Sequence, residues 1–186
     1  MKRLAVVTVG MTHSGKSSFA EKLESRLDNS FVLDQDNHAA FINTYYQKLQ
    51  PKNGTNTLKH SITDLLTDYA IVNTDLHFIT CSSNLVKKGR TYLLETFYNK
   101  ELFTRILVYF DIPHDILKNR VKNSVRNTNI FRGDYTNFEQ VLTRQINENY
   151  LTDAQPSAEE ADYLFVVKNN DEVDSIIKEI IAIAEK

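Results

Sequence analysis

Apolar residues fall along this chain in two rhythms. Short continuous runs at 4–9, 31–33, 77–81, 106–110 and 163–167 are rich in β-branched and aromatic residues and lack strict alternation. That is the pattern of strands buried on both faces of a sheet. Between the runs, apolar residues recur every three or four positions. Phe19, Ala20, Leu23 and Leu27 mark a helix over 17–27. Phe41, Ile42, Tyr45 and Leu49 mark one over 37–50, stopped by Pro51. A polar stretch at 52–57 reads as a loop, and Ile62, Leu65, Leu66, Tyr69 and Val72 then mark a third helix. Further helices are predicted over 85–98, after Pro113, over 138–150 and over 173–184, although Gly89 interrupts the first of these. Strand and helix thus alternate through about five strands, which predicts an α/β fold with a parallel sheet and helices on both faces. Ligands of such sheets bind beyond the carboxyl ends of the strands. Residues 10–17, 34–36, 81–84 and Asp111 fall there.

Composition narrows the class. A chain of 186 residues, 41% apolar and 25% charged, fits one soluble globular domain long enough to bury its own core. Its 22 basic and 24 acidic residues leave a net charge of −2, so no basic stripe for nucleic acid is expected. The one cysteine, Cys81, cannot form an internal disulfide and fits a reducing cytoplasm. The apolar run after Met1, Lys2 and Arg3 is too short for a secretion signal. No other run approaches the roughly 18 residues that would span a membrane. A cytoplasmic protein without a membrane partner is therefore expected. Glycine is scarce: five residues, against roughly 13 at an average usage of about 7%. Two of the five, Gly10 and Gly15, stand close together.

Those two glycines belong to Gly10-Met11-Thr12-His13-Ser14-Gly15-Lys16-Ser17, which fits G-x-x-x-x-G-K-[ST] between a strand and a helix. The four fixed positions would match by chance in under about one per cent of chains this long. The chemistry requires this spacing. Successive backbone N–H groups curl into a cradle for phosphate oxygens, and the following helix turns its positive end to the anion. Glycine lets the backbone come close without a Cβ in the way. The candidate nucleotide-binding residues are Gly10, Met11, Thr12, His13, Ser14, Gly15, Lys16, Ser17 and Ser18. Lys16 would reach the β- and γ-phosphates and the Ser17 hydroxyl would hold Mg²⁺. Thr12 and His13 are given no side-chain role.

Asp34 and Asp36 flank Gln35 at the end of the second predicted strand, where a carboxylate can take an acceptor's proton or orient Mg²⁺. The competing assignment for Asp36 is a helix N-cap. From Lys118 to Arg132 the chain carries five cations, Lys118, Arg120, Lys122, Arg126 and Arg132, and no acid lies between Asp115 and Asp134. Phosphoryl transfer needs cations over the group in flight, and a lid that brings them in on closure also excludes water. A lid over about 126–137 is therefore predicted. Arg126 and Arg132 are its candidate catalytic residues, while Arg120 also suits a helix surface or a structural ion pair.

With these motifs in place, the chain resembles the small P-loop kinases of the nucleoside monophosphate kinase-like group over nearly its full length. The stretch Val32-Leu33-Asp34-Gln35-Asp36-Asn37-His38 is most similar to the second-strand motif of polynucleotide-kinase-like and zeta-toxin-like enzymes. That similarity implies Asp36 as the general base on the acceptor hydroxyl. A shikimate-kinase-like reading would instead bring Asp34 near Mg²⁺. Val108-Tyr109-Phe110-Asp111-Ile112-Pro113, with Arg120, Arg126 and Arg132, resembles the strand, helix and lid of these kinases. The resemblance implies a three-layer α/β/α P-loop fold with strand order 2-3-1-4-5. It also implies an adenine pocket around 168–171. Two departures stand out. Ala39 and Ala40 occupy the place where polynucleotide-kinase-like proteins carry an arginine. The third strand ends in Ile79-Thr80-Cys81-Ser82-Ser83-Asn84, without the usual acid.

The reading is an ATP- and Mg²⁺-dependent kinase, with Lys16, Asp36, Arg126 and Arg132 as its catalytic residues and Ser17 and Asp34 at the metal. It would phosphorylate a hydroxyl or a phosphate of a small molecule. The insertion at about 37–75 would form the acceptor pocket, with Tyr45, Tyr46, Tyr69 and Arg90 nearby in sequence. The alternatives are a kinase of polynucleotide 5′-hydroxyls, which the charge balance and the missing arginine do not favour, and a nucleotide-binding switch that hydrolyses slowly.

Overall fold

The first strand, β1 (Arg3–Gly10), runs through the middle of the sheet in this computed structural model and is buried along almost its whole length. The structure describes residues 2–133, 135–149 and 155–186. The β1 side chains alternate between two cores, Leu4 and Val6 on one face and Ala5, Val7 and Val9 on the other. Hence the run shows no polar alternation. On one side β1 pairs with β3 (His77–Cys81), which pairs with the edge strand β2 (Ser30–Asp34). On the other it pairs with β4 (Phe103–Phe110), followed by β5 (Tyr163–Val167). All pairings are parallel and the order is 2-3-1-4-5, as the resemblance implies.

Helices cover both faces. α1 (Lys16–Glu24), α5 (His114–Lys122), α6 (Phe138–Asn149) and α7 (Val173–Ala184) bury Phe19, Leu23, Leu117, Leu142 and Ile177 against one. α3 (Thr57–Asn73) and α4 (Lys87–Tyr92) cover the other, with Ala70, Leu94 and Phe97 in its core. The predicted helix over 85–98 divides in two. α4 gives way to a π-helical turn, Leu93–Phe97, that places Leu94 and Phe97 inward. α2 (Gln35–Tyr45) starts two residues earlier than predicted because Asp34, not Asp36, is its N-cap, its carboxylate accepting from the Asp36 N–H at 2.8 Å. It stops at Tyr45, and a separate 3₁₀ turn, Gln47–Leu49, leads to Pro51.

The periodicity of α3 predicts a helix but misleads about its inner face. Leu65, Leu66, Tyr69 and Val72 are exposed, Val72 by 80%, while Thr63, Thr67 and Ala70 point inward. The threonine hydroxyls are satisfied locally, Thr67 donating to the Thr63 carbonyl at 2.8 Å and Thr63 to that of Lys59 at 3.0 Å.

Arg90 on α4 is fully buried. Its guanidinium forks onto Glu160, Nε to Oε2 at 2.7 Å and Nη2 to Oε1 at 3.0 Å, and Nη1 caps the carbonyls of Asn84 and Leu85. Burial pulls the Glu160 carboxyl up, but the Arg90 hydrogen bonds outweigh it and hold it below the usual range. Arg90 is thus a structural partner of Glu160 and not an acceptor-pocket residue.

Candidate phosphate-binding site

At the carboxyl end of β1 the chain turns sharply into α1, and the turn requires its glycines. A Cβ on Gly10 (φ +155°) would lie 2.9 Å from the Ser14 Oγ and 3.0 Å from the Phe110 Cβ. Gly15, at φ +105°, is the left-handed residue that caps α1. Lys16 curls back over the loop, its Nζ donating to the Met11 carbonyl at 2.6 Å and to the Ser14 Oγ at 3.2 Å. Among the described residues it makes no ion pair. Burial lowers its pKa to about 8, against the pull of Cys81, Asp36 and Asp34. A buried ammonium above a ring of backbone amides favours a polyanion.

The two second-strand acids divide their roles. Asp34 turns one carboxylate oxygen to its own helix and the other to the Ser17 hydroxyl at 3.5 Å. Burial raises its pKa, and the Asp36 charge raises it further, against the hydrogen bond from the Asp36 N–H. Ser17 and Asp34 bring together two hard oxygens of the kind that could hold Mg²⁺. The Cys81 Sγ lies 3.7 Å from the Ser17 Oγ, and burial raises the thiol to about 11, so it stays protonated. Asp36 meets Arg126, Nη2 to Oδ2 at 2.9 Å.

The arginines separate. Arg120 donates from Nη1 to the His13 carbonyl and from Nη2 to the Asn170 Oδ1, each at 3.2 Å. With Arg126, His13, Gly15, Lys16, Ser17, Ser18, Lys22 and Phe110 it lines a cleft of about 630 Å³ over the phosphate loop. Asn170, within the stretch expected to hold adenine, closes the far end. Arg126 also lies over the Phe138 ring at 5.0 Å. Arg132 is elsewhere: its guanidinium donates to the carbonyls of Pro51 and Gly54, on the loop before α3. Between α5 and α6 the described residues form no helix or strand.

Three contacts lie outside the sequence reading. Gln145, buried on α6, accepts the Thr12 N–H at 2.7 Å and so fixes the loop from behind. His13 joins the loop to both ends of the arginine segment, its Nε2 2.7 Å from the Ser124 Oγ and its ring edge-on to Phe138. Burial, then the charges of Arg126, Lys16 and Arg120, lower His13 to about 4. Lys59, on α3, lies within Coulombic reach of Asp34 and Asp36. A trace of Gln145 was visible, since it follows Phe138 and Leu142 at helical spacing on an otherwise apolar stripe. Met11 is buried beneath the loop, and the Thr12 Oγ1 lies 2.9 Å from the His13 Nδ1.

No family model matches the chain, and no curated protein does. Solved structures do match. The APS kinase of Mycobacterium tuberculosis, solved with AMPPNP and APS, aligns over 100% of both chains with a TM-score of 0.58 and 16% identity. A sugar kinase from Janibacter sp. aligns over 97% of this chain and 93% of that one, with a TM-score of 0.61 and 16% identity. A gluconokinase from Sinorhizobium meliloti covers 97% and 92%, with a TM-score of 0.57 and 14% identity. Across this distance the likeness establishes the architecture: the chain has the three-layer fold of the P-loop kinases.

Proposed function

We propose that this protein is an ATP-dependent kinase that transfers the γ-phosphoryl group to a hydroxyl, or to a phosphate, of a small molecule. The observation that carries the reading is the meeting of Asp36 with Arg126 beside the phosphate loop. A carboxylate able to take an acceptor's proton and a cation of the cleft thus stand together beside the loop, which supports the reading. The loop amides and Lys16 hold the β- and γ-phosphates. Ser17 and Asp34 would hold Mg²⁺, which neutralises charge on the phosphates. The acceptor O–H gives its proton to Asp36 as its oxygen bonds to the γ-phosphorus, and the bond to the β-phosphate oxygen breaks to release ADP. Arg126, freed from Asp36 by the acceptor, and Arg120 stabilise charge on the equatorial oxygens.

The test is transfer from γ-labelled ATP to a panel of small hydroxylated acceptors and a 5′-hydroxyl oligonucleotide. Label is expected on a small acceptor and lost with Asp36→Asn. Full ATP binding and turnover in Lys16→Ala would defeat the reading. One observation favours a second reading, a slow nucleotide switch. The end of β3 offers the site a protonated thiol, Cys81, where a carboxylate would steady the metal's water. That reading expects slow hydrolysis, no labelled acceptor and little effect of Asp36→Asn.

A further inference from the structure

Among the described residues, two cations beside the start of α2, Lys59 and Arg132, make no ion pair. Lys59 lies on the inner stripe of α3, one turn before Thr63, whose Oγ1 meets the His38 Nδ1 of α2 at 2.9 Å. That contact sets Lys59 beside the start of α2, within Coulombic reach of Asp34, Asp36 and Arg132. Among the described residues its ammonium makes no ion pair or side-chain hydrogen bond. Both carboxylates are already engaged, Asp34 with the Asp36 N–H and Ser17, Asp36 with Arg126. Arg132 binds the carbonyls of Pro51 and Gly54, which orient its guanidinium without neutralising it. Burial depresses the Lys59 ammonium, and the two carboxylates only partly restore it. Withdrawing cations from water without an anion is costly, and a bound anion offsets that cost.

We infer that Lys59 and Arg132 form an anion subsite for the acceptor, seating a carboxylate or phosphate group of a small molecule whose hydroxyl faces Asp36. The inference rests on the kinase reading and narrows its substrate class. Arg132 brings its charge and the N–H groups that its bonds to Pro51 and Gly54 leave over, and Lys59 adds a point charge. The segment that carries Arg132 is tied onto α2. The Asn43 Nδ2 donates to the Asn129 and Phe131 carbonyls at 2.7 and 3.0 Å, and the Asn129 Nδ2 donates to the Thr44 Oγ1 at 2.9 Å. This stitching of the arginine segment onto α2 favours a compact acceptor over a polymer.

The experiment has two arms. In the first, protein carrying Mg²⁺ and AMPPNP, so that the phosphate loop is filled, is titrated with inorganic sulfate. The readout is the ¹³Cε signals of its lysines. The Lys59 signal is expected to shift, and Lys59→Met and Arg132→Gln are each expected to weaken sulfate binding about tenfold or more. Lys59→Arg, which keeps the charge and guards against a folding artefact, is expected to retain most of it. Sulfate binding that ignores both charge-removing variants overturns the subsite. In the second arm, labelled-ATP transfer is compared for a hexonate, its hexitol, a hexose phosphate and a 5′-hydroxyl oligonucleotide. Preference for the hexonate or the hexose phosphate supports the inference and tells carboxylate from phosphate. Equal use of the hexitol overturns it and leaves the kinase reading standing, whereas preference for the oligonucleotide overturns the compact acceptor. Sulfate bound at Lys59 with no transfer to any acceptor keeps the anion site and removes the kinase reading.

Discussion

The two sides of the cleft are held in different ways. On the nucleotide side the loop joins the central strand to a helix packed on the main core. Its shape is set by backbone: left-handed Gly15, a Gly10 with no room for a side chain, and the Thr12 amide pinned by buried Gln145. On the acceptor side the elements follow an edge strand. They are joined by long polar side chains, Asn43, Gln50, Asn56 and Asn129, and leave Tyr45 70% exposed. Backbone-built sites are stiff, while sites tied by exposed side-chain hydrogen bonds open locally at low cost. In the proposed kinase a stiff phosphate cradle would thus stand against a more adjustable acceptor wall, and substitutions on the two sides should fail differently.

The largest effect is expected at the cradle. Lys16→Met should lower kcat/KM for ATP by about 10³-fold, read by steady-state kinetics, because the lysine's charge acts on the phosphates themselves. Asp36→Asn should cost about 10²-fold in kcat while leaving the ATP dissociation constant unchanged by calorimetry. A loss of ATP affinity there would merge the two sides that the structure separates. Gly10→Ala should destabilise the fold by about 1–3 kcal/mol in urea unfolding, since the new methyl meets Ser14 and Phe110. On the adjustable side, Asn43→Ala should cost only about 1 kcal/mol, seen as a severalfold rise in acceptor KM with ATP affinity intact.

A last effect, read in pH and not in kinetics, concerns His13. Its pKa in the folded protein is lowered to about 4, while the unfolded chain titrates near the ordinary 6.5. Between those values the unfolded chain binds more protons. Stability from the neutral imidazole is therefore present above about pH 6.5 and is lost as the pH falls toward 4. His13→Asn, which tolerates the left-handed φ of 60° at this position, should flatten the pH dependence of the melting temperature in that window.

The same contrast explains what could be read from the sequence. The parallel sheet and the phosphate loop were legible because buried parallel strands and a glycine-dependent turn leave few alternatives, as at Leu4–Gly10 and Gly15, while the strand order came from the family resemblance. The acceptor side was less legible because long side chains choose their partners in three dimensions. Of three arginines at similar spacing, Arg120 and Arg126 line the cleft, and Arg132 turns to the loop before α3. Helix α3 hid Lys59 by the same token. Its strongest periodic signal lay on the outward Leu65, Tyr69 and Val72, and the inner face is written in threonines that carry no apolar signal. Arg90 looked like a neighbour of the acceptor region only because it is close to it in sequence.

The Arg90–Glu160 pair ties together two points 70 residues apart. Between them lie β4, α5, the arginine segment and α6, so this stretch forms a closed contour knotted at its neck by a buried clasp. Breaking such a clasp from one side is costly, about 3–5 kcal/mol. Covalent continuity inside the contour is then dispensable. A chain severed near Asn127 should still assemble from its two pieces, because β4 and β5 pair across the cut and Arg90 grips Glu160 from the other fragment. The region proposed to handle the phosphoryl group is in this sense a detachable flap on a self-assembling frame, a natural place to split the protein into complementing halves.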